Sequence, residues 1–118
     1  MIISEQEFNF GGNAYGPDVS FIAVSKVHLF DPKRRVQLFV PDLAIEIVSE
    51  NDRFKALMQK TARYRKYGTK EAWILSSDTR DAFVRSEDRN VLLGDQDLFE
   101  SKLIPGFSIR LADLFDQV

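Results

Sequence analysis

The chain has no cysteine and a single histidine, His28, among its 118 residues. The first absence excludes a disulfide framework, a zinc ribbon and a thiol nucleophile. The second excludes a histidine-rich metal cage. Long apolar runs are missing as well. The longest are four residues, such as Phe21-Ile22-Ala23-Val24, far short of the ~20 needed to span a bilayer. The first ten residues carry Glu5 and Glu7 and no basic residue, which is not the pattern of a secretory leader. The expectation is a cytoplasmic protein with no membrane partner.

What is present is enough for one core. Hydrophobic residues make up 44% of the chain and charged residues 29%, the proportions of a globular domain. Ten Phe, three Tyr and one Trp are too much apolar surface to leave in water. Gly11-Gly12-Asn13 and Gly16-Pro17 punctuate the start, so residues 1–16 read as a loose N-terminal segment and 17–118 as the folded domain. The net charge of −2 conceals a segregation. Residues 1–52 hold four basic and eight acidic side chains, and residues 71–118 hold five and ten. Between them, residues 53–70 carry seven basic side chains and no acid. Such a block is either a solvated helix face bridged to its acidic neighbours or the electrostatic footprint of a polyanion. In the second reading Arg53, Lys55, Arg63 and Lys66 contact nucleic acid. An acidic protein is a third partner that the same block admits.

Periodicity places the elements. Asp18–Val24 and Leu43–Val48 are apolar at nearly every position, as strands buried on both faces are. Phe54, Leu57, Met58, Thr61 and Tyr64 recur at helical spacing, which predicts one helix over about 53–67, with Asn51 or Asp52 as its cap and Gly68 as its stop. Glu71–Ser76 follows as a strand. Asp78–Asp81 reads as a hairpin turn into Ala82–Arg85, and Asn90–Leu93 and Ser108–Leu111 read as further short strands. Ala112–Phe115 makes a last helical turn. The order gives a mixed α/β (α+β) layer with one main helix on a sheet.

Two acids stand out. Asp18 opens one buried strand and Glu46 lies inside another, where an ionised carboxylate needs a cation or hydrogen bonds. Asp42, Ala44 and Glu46 share one face of their strand. If the two strands are neighbours, Asp18 and Glu46 converge on one sheet edge and form a hard oxygen site suited to Mg²⁺ or Mn²⁺. Such an ion polarises a phosphodiester and activates water. Lys60, on the border of the helix's packed face beside Tyr64, is the cation best placed to assist. Other readings stand beside this one. Asp18 after Pro17 and Asp42 after Pro41 also fit turn positions, and Glu46 also fits a structural ion pair with Lys60 or an arginine. Ser49 suits helix capping better than nucleophilic attack. His28 suits the surface and Trp73 the core. Arg65 falls near the middle of the apolar face without an evident reason.

The ordered set of segments resembles a known family. Gly16-Pro17-Asp18-Val19-Ser20-Phe21, Val40-Pro41-Asp42-Leu43-Ala44-Ile45-Glu46-Ile47-Val48-Ser49, the trio Lys60, Tyr64 and Gly68, Glu71-Ala72-Trp73-Ile74-Leu75, and Leu103-Ile104-Pro105-Gly106-Phe107 with Leu111-Ala112-Asp113-Leu114-Phe115 are similar, in order and spacing, to the Uma family of the PD-(D/E)XK nuclease superfamily. The resemblance implies a restriction-endonuclease-like fold. It also implies Mg²⁺ held by Asp18 and Glu46, and a DNA or other nucleic-acid substrate. The superfamily's lysine position is Val48 here, and Lys60 from the following helix takes its place. Gly16, Glu50 and Ala56 depart from the family pattern. The segment before Pro17 is shorter than the family's, which implies an exposed edge strand and a homodimer. Two functions follow as expectations: a metal-dependent endonuclease, or an inactive remnant that binds nucleic acid or a protein.

Overall fold

The computed structural model describes residues 1–49 and 52–117. Eleven strands and two α-helices appear among them. The main sheet has six strands in the order β1 (Ile2–Ser4), β4 (Val19–Phe21), β6 (Leu43–Ile47), β7 (Glu71–Ser76), β8 (Asp81–Ser86) and β9 (Asn90–Leu93). Within this sheet only β6 and β7 pair in parallel. A parallel pair needs a crossover, and helix α1 (Phe54–Lys66) supplies it. A small sheet, β3 (Asn13–Tyr15), β2 (Glu7–Phe10) and β5 (Val36–Gln37), lies at one side. A ribbon of β10 (Leu98–Glu100) and β11 (Ser108–Arg110) leads into α2 (Leu111–Asp116). A short 3-10 helix spans Val24–Leu29. No helix among the described residues is long and apolar enough to cross a membrane.

Because side chains alternate along a strand, the main sheet has two cores. On one face Trp73, Val84, Leu43 and Ala82 pack against Phe99, Leu111 and Phe115. On the other, Ala44, Ala72 and Ile22 pack against Tyr64 of α1 and against Phe8 and Phe10. Alanines at 44 and 72 leave room for those large rings, and the Phe10 and Tyr64 ring centroids are 4.5 Å apart.

Residues 1–16 are therefore not a loose segment. Met1 and Ile2–Ser4 pair with the strand that carries Asp18. Phe8 and Phe10 alternate with Glu7 and Asn9, and both rings are fully buried. The glycines that suggest loose chain instead make the β2–β3 turn, where Gly11 and Gly12 have φ of 61° and 95°.

The helix starts close to its expected place, but with different chemistry. Its N-cap is Arg53, which makes no side-chain cap bond. Asp52, one capping candidate, turns back instead and accepts the backbone N–H (2.8 Å) and hydroxyl (3.1 Å) of Ser49. The other candidate, Asn51, lies outside the described residues, as does Glu50. Leu57, Thr61 and Tyr64 are buried as the spacing predicts, whereas Phe54, in the first turn, is 55% exposed. Arg65 acts locally. Its guanidinium donates to the Thr69 carbonyl (2.8 Å) and ties down the chain after the helix.

Candidate active site

Strands β4 and β6 are antiparallel neighbours with Val19 opposite Ile45 and Phe21 opposite Leu43. One step further along this register sets Asp18 opposite Glu46. The Asp18 carboxylate also replaces a missing rung of the ladder. Its Oδ2 accepts the Ile47 backbone N–H at 2.7 Å, one residue before β4 begins. Asp18, immediately before β4, thus binds the neighbouring strand β6 through its side chain, which holds it beside Glu46.

Glu46 lies on the α1 face of β6, 3% exposed. Its Oε1 accepts a 2.6 Å hydrogen bond from the Tyr64 hydroxyl and lies 3.0 Å from the Lys60 ammonium. Lys60 and Tyr64 are four apart on α1, so one helix face delivers both to one oxygen. Burial pushes the Glu46 carboxyl above its ordinary value; the Tyr64 and Lys60 bonds pull it down, and the neighbouring Asp18 charge pushes it up. Burial and Glu46 together push the Tyr64 phenol far above its ordinary value, so it remains a donor. The second oxygen of each carboxylate has no hydrogen-bond partner among the described residues.

The other candidates fall elsewhere. Asp42 is 1% exposed at the far end of β6 from Glu46, about 13 Å along the strand. Its Oδ2 accepts the Ala23 N–H at 2.7 Å, and Lys26 and Lys70 each lie 3.8 Å from Oδ1. It is an anchor between loops, not part of the acid pair. Ser49 is exposed and bonded to Asp52. Arg53 and Lys55 are exposed at the start of α1, while Arg63 and Lys66 are exposed near its end. His28 is exposed and Trp73 is core. Two further contributors stand outside the patterns of spacing and charge. Arg85 braces α1 against the sheet by donating to the Thr61 hydroxyl (3.1 Å) and the Met58 carbonyl (3.3 Å). Tyr15 packs on Tyr64 with 6.3 Å between ring centroids and accepts a hydrogen bond from Arg63. The only sequence signal for Tyr15 is its place three residues before Asp18.

Among the described residues no group of three or more acidic or histidine side chains stands together as a metal cage. The acid pair nevertheless fits one hard divalent cation. It offers a free oxygen from each of two carboxylates, and ions such as Mg²⁺ are commonly held by one or two carboxylates with water completing the shell.

The chain is thus a mixed sheet with a crossover helix, carrying an acid pair at one end of two neighbouring inner strands. Residues 1–112 match the Uma2 family, described as "Putative restriction endonuclease". The chain belongs to this family, and nuclease chemistry is the function class that membership supports. Among solved structures it is similar to a protein from Anabaena variabilis ATCC 29413 described as "a putative nuclease belonging to DUF820". That similarity has a TM-score of 0.85 at 21% identity, covering 98% of this chain and 67% of the other; it establishes the shared fold. No curated protein matches the chain.

Proposed function

We propose that the protein is a Mg²⁺-dependent endonuclease that hydrolyses phosphodiester bonds in nucleic acid, with DNA as the preferred substrate. The observation that carries this reading is the pairing of Asp18 with Glu46 across β4 and β6, with Lys60 3.0 Å from Glu46. Asp18 and Glu46 would hold Mg²⁺ or Mn²⁺. When bound, such an ion supplies a Lewis acid for the phosphoryl oxygen and lowers the pKa of its water. The residues of the chain provide the rest. The Ile47 N–H fixes Asp18, and the Tyr64 hydroxyl fixes Glu46 through Oε1, leaving its other oxygen without a hydrogen-bond partner among the described residues. Lys60 places a positive charge beside the scissile group, where negative charge grows as water adds to phosphorus and the P–O bond breaks.

The test is cleavage of supercoiled plasmid with Mg²⁺. Asp18→Asn, Glu46→Gln and Lys60→Met are each expected to abolish nicking while the fold survives. Cleavage indifferent to all three substitutions would remove these residues from the reaction. A second reading, a module that binds nucleic acid without cutting it, is favoured by the two-acid composition of the site. Salt-sensitive DNA retention with no cleavage in any divalent ion would establish it. The proposal extends to a homodimer, supported by Ile2 (71% exposed) and Leu92 (60% exposed) on the two edge strands of the main sheet. Sedimentation of the metal-free protein checks this.

A further inference from the structure

A groove of about 410 Å³ runs between β3 and the outer face of α1, lined by Asn13, Tyr15, Gln59, Arg63, Lys66 and Tyr67. No acid lines it. Among the described residues neither Arg63 nor Lys66 is paired with a carboxylate, although acids are abundant on both sides of the basic block. The two cations are held by rings instead. The Arg63 guanidinium lies 5.4 Å from the Tyr15 ring centroid and also donates to its hydroxyl, and the Lys66 ammonium lies 5.4 Å from the Tyr67 centroid. Cation–π contact restrains a long side chain without neutralising it. Part of the entropy that ordering would cost on binding is thus already lost.

The groove is built from the fold. Tyr67 rests against the β2–β3 turn so closely that a Cβ on Gly11 would come within 2.2 Å of its ring. Only glycine at that positive-φ position leaves the space. Two of its lining residues are near neighbours in the chain of the acid pair and its partners. Tyr15 precedes Asp18 by three residues and packs on Tyr64, the Glu46 donor, and Arg63 follows Lys60 by one helical turn. Asn13 and Gln59 add amides of the kind that donate to phosphate oxygens.

We infer that this groove is a binding subsite for the phosphodiester backbone of one nucleic-acid strand beside the bond to be cut, with Arg63 and Lys66 as its phosphate contacts. The inference rests on the nuclease reading for the identity of the anion. It also divides the basic block: Arg63 and Lys66 belong to the subsite, and Arg53 and Lys55 do not line it.

The test measures binding of a fluorescein-labelled DNA oligonucleotide by anisotropy in EDTA, over a range of NaCl, with single-stranded and duplex probes. The Arg63→Gln/Lys66→Gln double variant is expected to flatten the slope of log K against log[salt] by about 1.4 on a single strand or about 1.8 on a duplex, two phosphate contacts' worth. The probe that shows the change identifies which form of the strand occupies the groove. The control, Lys33→Gln/Arg34→Gln, removes two exposed charges from the 31–35 connection and is expected to keep the wild-type slope. A wild-type slope in the groove variant on both probes overturns the inference. Displacement of the probe by poly-glutamate as readily as by unlabelled oligonucleotide of equal charge also overturns it, in favour of an acidic protein. The two readings fail separately. Mg²⁺-dependent cleavage with an unaltered slope leaves the nuclease without this subsite. A flattened slope in a protein that never cleaves leaves the subsite without the nuclease.

Discussion

Asp42, the residue just before β6, and Glu46, inside it, are four residues apart and almost equally buried at 1% and 3%, yet their surroundings differ in kind. Asp42 is finished by the fold: a backbone N–H holds one oxygen, and two lysines, one from the 3-10 helix and one from just before β7, flank the other. Glu46 is left part-finished. A phenol and an ammonium meet on one oxygen, the other has no partner among the described residues, and burial raises the proton affinity of the group. A buried carboxylate whose oxygens are both engaged by the chain fastens the structure. One that keeps an oxygen free beside a second acid leaves a position that a ligand can fill.

The largest effect that would sharpen the comparison is on activity. Glu46→Gln should lower Mg²⁺-dependent cleavage by ~10²-fold or more, whereas Asp42→Asn should leave cleavage within a few-fold per folded molecule. Equal losses in a plasmid-nicking assay would break the distinction. Stability should run the other way. Asp42→Ala strips the Ala23 N–H and two lysines of their partner and should cost about 1–3 kcal/mol in urea melts at neutral pH. Glu46→Gln should cost less than this.

The pH dependence follows from the sign of the Glu46 shift. Its folded-state proton affinity lies above the ordinary carboxylate value of 4.5, so the folded state holds the proton more tightly than the unfolded one. The resulting stabilisation is fully present below pH 4.5 and is lost as pH rises through the raised folded value. Metal-free wild type should therefore lose stability across that window relative to Glu46→Gln; parallel melting curves against pH would refute it. The smallest expected effect is that of Tyr64→Phe. Losing one buried hydrogen bond should cost about 1 kcal/mol. Because the Tyr64 bond lowers the Glu46 proton affinity, the acid limb of cleavage should move to higher pH, which a pH–rate profile would detect.

The central strands and helix are legible in the sequence because their patterns are local. Leu43–Ile47 and Trp73–Leu75 are apolar on both faces, and Leu57, Thr61 and Tyr64 mark one side of a helix. The acid pair is legible as a conditional, since the alternation places Glu46 inward but only the β4–β6 pairing places Asp18 opposite it. The N-terminal strands escape a sequence reading because two glycine signals outweigh a four-residue alternation, Glu7-Phe8-Asn9-Phe10. Asp42 and Glu46 cannot be told apart in sequence, since the lysines that complete Asp42 come from positions 26 and 70. The partner of Arg65, a backbone carbonyl four residues on, leaves no mark in side-chain spacing at all.

The pairing of Val19 with Ile45 also says how this site can vary in evolution. The 27 residues between Asp18 and Glu46 include a 3-10 helix and the 31–35 connection, where chain can be added or removed without moving either acid. Inside Val19–Phe21 or Leu43–Ile47 the same single-residue insertion would turn one carboxylate to the opposite face. Relatives of this chain should therefore differ freely in length between the two strands and keep both strands in frame, so that the distance between the acids along the chain is a poor guide to membership and the phase of the two strands a good one.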